Sequence, residues 1–407
     1  MDRRHFIGAS ATSLGLSGLL TATSSTGAEP FEQASAKSSL RVGVIGSTGR
    51  GNYGHGLDVA WRLRPDLFEV VAVADSDSTG LAKEISLLGD VQGFADYHSM
   101  LEKIRPDIVA ICPRHPDQHH DMIMTAIQYG AQGIYCEKPF CRTPMECDEV
   151  LAAAETRNVK IAVGHRNRYH PVLFKVKDML DAGAIGNVLE IRGRGKGDRR
   201  GGSEDLWVLG THVFNVMHYL CGRPVSCSAF IKRQGHLISS SDVIDGNEAL
   251  GPLAGDEVHA RFEMENGLVA YFDSLANDRT NSKAFGLQVV GSNGIIDIKI
   301  DVDPLAQIQT GNPYELNATP WLPISTAGPG VDEPREGLFQ QVSSHEIAIA
   351  DLADAIHSNR EPLCCGRDAA ITVEMVHAVF ASHRFDGACV KFPLTDRGHQ
   401  LSLLKAT

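Results

Sequence analysis

A lysine at the end of a predicted strand could do chemistry on an oxygen atom. Residues 133–136 are predicted to form a buried strand, and Glu137, Lys138 and Pro139 follow it directly. Ligands of open α/β sheets bind at the carboxyl ends of the strands, so Lys138 could hydrogen-bond a ligand oxygen or share a proton with it. Pro139 would fix the backbone behind the lysine. Because Glu-Lys-Pro is a common tripeptide, a solvated turn is the alternative interpretation.

A glycine-rich turn follows the first predicted strand, residues 41–45. It consists of Gly46, Ser47, Thr48, Gly49, Arg50 and Gly51. Gly46 would allow a tight turn, and Gly51 would let the strand pack closely against a helix predicted to follow it, whose N-terminal N–H groups would face a pyrophosphate. Thr48 stands where the middle glycine of Gly-x-Gly-x-x-Gly is expected, but Gly49 beside it can restore the close approach of the backbone.

An acidic residue ends the second predicted strand. Asp75 comes 24 residues after Gly51, close to the spacing of about 20 at which a carboxylate binds the adenosine ribose hydroxyls. Ser76 and Asp77 follow it, and no arginine does, so a 2′-phosphate would meet negative charge. The two motifs together predict a dinucleotide site that prefers NAD to NADP. The alternative is a packing turn followed by a helix-capping aspartate.

Composition indicates a soluble globular protein. The 407 residues are 43% apolar and 22% charged, with a formal net charge of −12. This length suits two or three domains, and the acidic balance argues against a general nucleic-acid binder. The nine cysteines are scattered and have no zinc-ribbon spacing, so we predict no disulfide framework and expect most of them to be small core residues. The adjacent His119 and His120 would point apart on a helix, so we predict no metal site.

The first residues resemble a twin-arginine export signal. Arg3 and Arg4 precede a mildly apolar run, residues 8–20, and small residues continue to Ala28. This pattern predicts a signal over residues 1–28, a linker over 29–39, and a periplasmic or otherwise exported protein that folds with its cofactor before export. No other stretch is apolar enough to span a bilayer. The alternative is a disordered tail with a chance arginine pair.

Strands and helices alternate between residues 40 and 164, which predicts a parallel Rossmann-type sheet with right-handed crossovers. Besides the helix after Gly51, helices are predicted near residues 81–88, 100–103, 121–129 and 146–157.

The pattern changes over residues 165–407, where an antiparallel or mixed sheet is predicted. Two hairpin turns, Asn266-Gly267 and Asn293-Gly294, join predicted strands because both residue types tolerate positive φ. Residues 304–337 are rich in Pro, Gly and Asn and are predicted to form a long surface excursion. The remaining predicted elements are a helix at 171–182, strands at 188–196, 226–233, 257–265, 268–273, 286–290 and 295–300, and final helices at 345–357 and 368–384.

Taken in order, these motifs resemble the glucose–fructose oxidoreductase / inositol dehydrogenase / MocA family of NAD(P)-dependent oxidoreductases. The resemblance extends from Leu40 to the final helix and rests on the glycine turn, Asp75, Pro113 with His119, Glu137-Lys138-Pro139, the stretch from Gly164 to Pro171, and Gly201-Gly202 leading to His212. It implies a Rossmann domain followed by an α+β domain with a large, open, mostly antiparallel sheet. In the family this sheet forms one wall of the active site and often mediates oligomerisation.

The resemblance also implies residue roles. Lys138 would contact the reacting hydroxyl, Pro113, Glu137 and Arg166 would lie on the nicotinamide side, and His119 would belong to the cofactor site. Family members commonly carry acidic residues four before and three after the active-site histidine, whereas this chain has Val208 and Asn215 around His212.

His212 could still act as a general base, because imidazole titrates near neutrality. Its orienting carboxylate would then come from elsewhere, for example from Glu204 or Asp205. The alternative is a core or helix-capping histidine.

A charged, glycine-rich loop over residues 192–205 precedes His212. It could present side chains to polyhydroxylated or acidic substrates, since guanidinium forks suit carboxylates and vicinal hydroxyls. A solvated, mutually paired loop is the alternative. The candidate substrate residues are Arg168, Lys196, Asp198, Arg199 and Asp205, with Arg200 beside them.

The sequence thus predicts an exported, homo-oligomeric NAD-dependent oxidoreductase. It would transfer hydride between a nicotinamide and a secondary alcohol of a sugar, sugar acid or cyclitol, and would keep its cofactor through turnover because free dinucleotide is scarce outside the cell. Two alternatives remain open. One is an NAD-dependent glycoside hydrolase with net-neutral redox chemistry, and the other is a ligand-binding protein without turnover, suggested by Val208 and Asn215.

Overall fold

A computed structural model describes residues 39–315 and 319–404. The export signal predicted for residues 1–28 lies outside the described residues. None of the helices in the described part of the chain is long and apolar enough to cross a membrane.

The described residues form strands and α-helices joined by turns and short 3₁₀ helices. The strands are β1 Leu40–Ile45, β2 Phe68–Ala74, β3 Gln92–Phe94, β4 Ile108–Ile111, β5 Gly133–Cys136, β6 Lys160–Val163, β7 Val188–Arg194, β8 Pro224–Arg233, β9 His236–Leu237, β10 Ile244–Asp245, β11 Pro252–Leu253, β12 Glu257–Met264, β13 Val269–Leu275, β14 Gly286–Gly291, β15 Gly294–Lys299, β16 Ala306–Thr310, β17 Leu322–Ser325, β18 Gly328–Pro329 and β19 Val390–Lys391. The helices are α1 Ser78–Leu88, α2 Tyr97–Ile104, α3 His119–Gln128, α4 Pro144–Arg157, α5 Val172–Asp181, α6 Ser203–Val208, α7 Gly210–Cys221, α8 Leu338–Ser343, α9 Glu346–Ser358 and α10 Gly366–Arg384.

The first sheet confirms the predicted Rossmann architecture. Its strands are parallel and follow the order β3-β2-β1-β4-β5-β6. From β1 the chain adds strands first on one side (β2, β3) and then on the other (β4, β5, β6). The point between β1 and β4 where this order reverses is where such sheets bind ligands. The residues that follow β1, β4, β5 and β6 therefore arrive side by side at one edge.

The prediction of a helix after Gly51 is wrong. Residues 48–59 form successive turns, and only a 3₁₀ helix, Ala60–Leu63, follows. The backbone of Asn52, Gly54 and Gly56 is left-handed, with φ of 52°, 65° and 92°. A right-handed helix cannot include such residues, so the repeated glycines that suggested a helix start prevent one from forming.

The second sheet is large and mostly antiparallel, as predicted. Its path is β18-β17-β16-β15-β14-β7-β13-β12-β8-β19, with β9 paired to β8, and within the described strands β7 and β13 are its parallel pair. Both predicted hairpins are present, as β12–β13 and β14–β15.

The surface excursion predicted for residues 304–337 is wrong in part, because this stretch extends the second sheet. Strand β16 pairs with β15, and β17 pairs with β16. Ala306 and Ile308, two residues apart, are buried, as is Ile324 on β17. The apolar alternation that drives strand formation is short and is surrounded by Pro, Gly and Asn, so composition concealed it.

Helix α7 packs on the inner face of the second sheet. The Phe214 ring lies 4.8 Å from that of Phe272 and 5.4 Å from that of Phe262, centroid to centroid. This packing fixes the rotation of α7 about its axis. The His212 ring consequently faces His165 in the segment after β6, and Oδ1 of Asn215 lies 3.7 Å from Sγ of Cys364, just before α10.

Helix α9 packs against β5 and β6 of the first sheet, although it comes late in the chain. Ala348, Ile349 and Leu352 are buried in the same apolar cluster as Trp61 and Tyr135. A helix from the predicted second domain thus completes the core of the first.

Candidate active site

Lys138 lies buried where the end of β5 meets the junction of α6 and α7. Its side chain is 5% exposed, and Nζ donates a hydrogen bond to the carbonyl oxygen of Val208 at 3.1 Å. Burial lowers the pKa of Lys138, while the carboxylate of Glu137 acts in the opposite direction. Val208, one of the two departures from the family pattern, therefore still holds the lysine through its backbone.

Glu137 is 1% exposed and ties the glycine-rich segment to the end of β5. Its Oε2 accepts hydrogen bonds from the backbone N–H of His55 (3.1 Å) and faces His55 Nδ1 at 2.8 Å, and its Oε1 accepts the N–H of Lys138 at 2.8 Å. Burial alone would raise the pKa of Glu137, but the His55 hydrogen bond and the charge of Lys138 hold it well below its usual value. A Cβ on Gly54 would lie 2.6 Å from Oε2, so only glycine fits there.

Two imidazole rings meet at the start of α7. The rings of His165 and His212 lie edge to face, with centroids 5.4 Å apart. Burial and the charge of Lys138 lower the pKa of His212 to about 3, with Asp301 acting in the opposite direction. Burial also takes the pKa of His165 well below its usual value. Both rings are therefore neutral, the form that accepts a proton.

Several polar atoms at this point have no hydrogen-bond partner among the described residues, although they are buried. They are Nδ1 of His212, Nε2 of His165 and Nδ2 of Asn215. Buried polar atoms normally have partners, and a ligand with several hydroxyl groups would supply them.

Asp301, in the loop after β15, is the carboxylate whose charge most opposes the lowering of the His212 pKa, ahead of Glu137. Asp301 accepts hydrogen bonds from Nε (2.9 Å) of Arg166 and from Nδ2 (2.8 Å) of Asn167, and Nη2 of Arg166 forms an ion pair with it at 2.8 Å. Its backbone is left-handed, with φ of 57°. The predicted candidates Glu204 and Asp205 do not take this role, because their oxygens bond elsewhere.

The glycine-rich segment fits a dinucleotide. Asp75 is buried beside it and accepts hydrogen bonds from Thr48 N (3.0 Å), Thr48 Oγ1 (2.6 Å) and the hydroxyl of Tyr53 (2.9 Å). The backbone N–H groups of Gly51 and Tyr53 have no acceptor among the described residues, so they are donors that a pyrophosphate could use. Gly46 lies under the Tyr53 ring, which a Cβ would meet at 2.1 Å.

Other predicted cofactor residues lie around this segment. Ser47 accepts the backbone N–H groups of Arg50 and Asn52 and so closes the turn. The guanidinium of Arg50 pairs with Asp117 at 2.5 Å on the neighbouring loop. Gly49 adopts φ of 80° with nothing within 4 Å of an added Cβ.

His119, predicted in the cofactor site, is fully buried behind it. Its Nδ1 lies 2.9 Å from the carbonyl oxygen of Pro139, and its Nε2 lies 2.7 Å from that of Pro113. Both ring nitrogens are thus engaged with the backbone. His119 joins the loops after β4 and β5 and would reach a cofactor only through Pro113 and Pro139.

The structure does not gather the five predicted substrate residues around Lys138. Arg168 is buried with its guanidinium 3.5 Å from the centre of the Tyr219 ring. Asp198 pairs with Arg200 at 2.6 Å. Asp205 is buried and accepts hydrogen bonds from the backbone of Lys196 and from the Ser274 hydroxyl.

Lys196 and Arg199 differ from these three. The side chain of Arg199 is exposed, and among the described residues neither Lys196 nor Arg199 makes a side-chain hydrogen bond or ion pair. Their cationic groups are therefore free to meet a ligand.

Sequence reasoning missed three residues of the site: His165, His345 and Asp301. His345, just before α9, has Nδ1 2.6 Å from the hydroxyl of Tyr135 on β5, and burial lowers its pKa to about 4. His165 lies inside the motif from Gly164 to Pro171, which was a usable signal. The others come from distant parts of the chain and have no local signature.

No group of three or more His, Cys, Asp or Glu side chains in the described residues has the arrangement of a metal site.

Replacing Gly51 by alanine is expected to weaken NADH binding at least about tenfold. Gly51 has φ of 90°, and an added Cβ would lie 2.5 Å from the backbone nitrogen of Arg114, so the loop after β4 must move. Fluorescence titration with NADH measures the change. Gly130→Ala is the matched control, since φ is 89° with nothing within 4 Å, and it should cost about 1 kcal/mol of stability without changing affinity. Equal loss of affinity in both variants would contradict the expectation.

The protein is expected to lose stability as the pH falls from 7.5 to 5. Burial lowers the pKa of several imidazoles in the folded state, and seven are lowered strongly: His165 well below its usual value, His170, His218, His345 and His399 to about 4, and His212 and His377 to about 3. Unfolded imidazoles protonate near pH 6.5, so their stabilising contribution is complete above that pH and is lost progressively below it. Each should account for on the order of 1–2 kcal/mol at pH 5, which lowers Tm by roughly 10 °C in total. A Tm that stays constant over this range by calorimetry would contradict this.

Family models match both parts of the chain. Residues 40–165 match the oxidoreductase family with an NAD-binding Rossmann fold, GFO/IDH/MocA, and residues 174–297 match the GFO/IDH/MocA C-terminal domain. Two curated relatives are dehydrogenases. The levoglucosan dehydrogenase of Pseudarthrobacter phenanthrenivorans is 24% identical over 290 residues, 63% of this chain and 73% of that protein. The D-apiose dehydrogenase of Paraburkholderia graminis is 25% identical over 338 residues, 80% of this chain and 83% of that protein.

Solved structures share the fold. A levoglucosan dehydrogenase in complex with NADH and levoglucosan superposes with a TM-score of 0.67 at 21% identity, covering 88% of this chain and 100% of that one. An oxidoreductase from Agrobacterium radiobacter in complex with NAD⁺, L-tartaric acid and magnesium gives a TM-score of 0.63 at 17% identity, covering 87% and 98%. With a Rossmann sheet, a glycine segment that fits a dinucleotide and both family models matched in order, this chain belongs to the GFO/IDH/MocA family of NAD-binding oxidoreductases.

Proposed function

We propose that this protein oxidises a secondary alcohol of a sugar, sugar acid or cyclitol with NAD as hydride acceptor. The observation that carries the proposal is the meeting of a buried lysine and a buried neutral imidazole at the ligand-binding edge of the Rossmann sheet. Relatives named for levoglucosan, D-apiose and inositol support the substrate class.

Each protein group has one task in this reaction. Nζ of Lys138 donates a hydrogen bond to the reacting hydroxyl oxygen and stabilises the negative charge that develops there. His212 accepts the hydroxyl proton as the carbon–hydrogen bond breaks and its electron pair leaves with the hydride. NAD, when bound, supplies the ring that receives the hydride.

The remaining site residues hold these groups in place. Glu137, through His55, fixes the glycine-rich segment against the end of β5. Asp301 places negative charge near His212, so protonation of the ring during the reaction is favoured. The low exposure of Lys138 and His212 excludes water from the reacting centre.

The proposal is tested by incubating the purified protein with NAD⁺ and levoglucosan, myo-inositol, D-apiose, D-gluconate or an aryl glycoside. NADH absorbance and product mass are followed together. Stoichiometric NADH and a product two mass units lighter are the expected result. Aryl-glycoside cleavage without net NADH would favour the hydrolase instead, and sugar binding without any turnover would favour a non-catalytic ligand-binding protein.

The cofactor is proposed to be NAD rather than NADP, and to stay bound through turnover. Asp75 forms no ion pair with a basic side chain among the described residues, so a 2′-phosphate would meet an uncompensated carboxylate. Mass spectrometry of natively purified protein should detect NAD or NADH, and protein free of either nucleotide would contradict the tight binding.

We further propose export by the twin-arginine route and assembly into a homo-oligomer. The arginine pair at Arg3 and Arg4 motivates the first proposal. Replacing both by lysine should leave the protein in the cytoplasm, and unchanged export would refute it. Light scattering after size-exclusion chromatography tests the second, which a monomeric mass would refute.

A further inference from the structure

Between β8 and β12 the chain leaves the second sheet and forms a small hairpin of its own. Strands β10 and β11 pair with each other, and in the described chain with no other strand. The hairpin tip is a tight turn over Asn247–Ala249. We call the segment from β10 to β11 the clasp hairpin.

The tip of the clasp hairpin bridges the two sides of the site. On one side, Nδ2 of Asn247 donates a hydrogen bond to Oε2 of Glu204 on α6 at 3.0 Å. On the other side, the tip packs against the 3₁₀ helix Pro116–Gln118, in the loop after β4. The tip thus extends from the helix that precedes the Lys138 contact to the loop that carries Pro113.

The backbone at the tip is held in an unfavourable conformation. Glu248 and Ala249 are consecutive residues other than glycine with left-handed φ angles of 53° and 55°. Such residues cost on the order of 1–3 kcal/mol each and are retained where the surrounding structure fixes them, commonly at ligand sites. The strain turns the Glu248 side chain toward the loop after β4, where Nη2 of Arg114 lies 4.0 Å from its Oε1.

Glu248 and Arg114 retain their hydrogen-bonding capacity. A separation of 4.0 Å is too long for a hydrogen bond, and among the described residues neither side chain makes one elsewhere. Both are part-exposed, 26% for Glu248 and 38% for Arg114. The negative charge of Glu248 also acts to raise the pKa of Lys138, second to that of Glu137.

We infer that Glu248 and Arg114 form a two-sided subsite that binds a pair of neighbouring hydroxyl groups on a neutral substrate. This rests on the proposed function and extends it to a choice within the substrate class. The carboxylate accepts a hydrogen bond from one hydroxyl, and the guanidinium donates to the other. Glu248 already balances the charge of Arg114 and repels an acid group that would otherwise pair with that guanidinium, so the site selects neutral sugars and cyclitols over sugar acids.

The test is a comparison of Glu248→Gln with the unchanged protein on neutral and acidic substrates. Levoglucosan, myo-inositol and D-apiose are the neutral probes, and D-gluconate and D-glucuronate are the acids. In Glu248→Gln, kcat/KM for the neutral probes is expected to fall about tenfold, the loss of one charged hydrogen bond, through KM rather than kcat. The ratio of neutral to acid kcat/KM should fall at least as much. Arg114→Gln should also raise KM for the neutral probes.

Glu336→Gln is the matched control, because Glu336 is an exposed carboxylate of the same half of the chain without a hydrogen bond among the described residues. It should leave every constant within twofold. The inference is overturned if Glu248→Gln also leaves the neutral-to-acid ratio within twofold, or if the unchanged protein prefers the acids.

A binding measurement distinguishes failure of this inference from failure of the proposed function. If no probe yields NADH, the proposed oxidation fails, and the subsite is then read from Tm at saturating NADH. Neutral probes should raise Tm of the unchanged protein and of Lys138→Met at similar concentrations, whereas Glu248→Gln should need about tenfold more probe for the same Tm shift. The absence of a Tm shift in the unchanged protein with every neutral probe would overturn the subsite as well.

Discussion

Replacing Lys138 by methionine is expected to lower kcat with the best sugar substrate by about a thousandfold. Methionine has similar length but no donor, so the developing alkoxide loses its charged hydrogen bond in a site from which water is excluded. The lysine is 5% exposed, which makes the loss larger than at a surface site. Initial rates of NADH formation at saturating NAD⁺ measure the effect, and NADH titration checks that cofactor binding is kept.

Lys160→Met is the control for that experiment. Lys160 is also a buried lysine of the Rossmann sheet, 7% exposed on β6, and its Nζ lies 3.7 Å from Oε1 of Glu361. Its replacement should lower Tm but leave kcat within about threefold. Unchanged turnover in Lys138→Met would remove the lysine from the reaction, and equal losses in both variants would indicate a general effect of burying methionine.

Replacing His212 by asparagine is expected to lower kcat by about 10²- to 10⁴-fold, the usual contribution of a general base. Asparagine preserves a polar side chain at the start of α7 but cannot take up a proton. The measurement is a pair of pH profiles of kcat/KM from pH 5 to 9.

The pH profile of the unchanged protein distinguishes a buried base from an exposed one. The pKa of His212 is lowered to about 3, so its neutral form persists across this range and His212 should cause no decline of rate on the acid side. An exposed imidazole would lose half its activity near pH 6.5. A decline centred there that disappears in His212→Asn would contradict the neutral, buried base.

His218→Asn is the matched control on the same helix. His218 is buried, its pKa is lowered to about 4 by burial, and its Nε2 faces the carbonyl oxygen of Asp368 at 3.2 Å. The variant should be less stable and should retain kcat within several-fold. A loss as large as that of His212→Asn would mean that packing of α7, rather than proton transfer, governs the rate.

The local sequence led to two wrong predictions, the helix after Gly51 and the surface excursion at residues 304–337, because long-range contacts fix the backbone there. The glycines after Gly46 indicated a helix, but Asn52, Gly54 and Gly56 have left-handed φ angles, and Gly54 is packed against Glu137 and the carbonyl oxygen of Cys112 after β4. Strands β16 and β17 were hidden because pairing of β16 with β15 and of β17 with β16, rather than their composition, makes them strands.

The sequence by itself determined the positions of the groups that directly follow a strand end. Asp75 after β2, Lys138 after β5 and the glycine segment after β1 reach one edge because parallel strands share a direction, so their order in the chain predicts their place. Only the tertiary structure decided what surrounds them. Asp301, His345 and Glu248 approach the site from loops separated by more than a hundred residues from Lys138, and their positions depend on how the second sheet, α9 and the clasp hairpin pack. Packing of this kind depends on the burial of many apolar side chains at once, which leaves no mark beside any single polar residue.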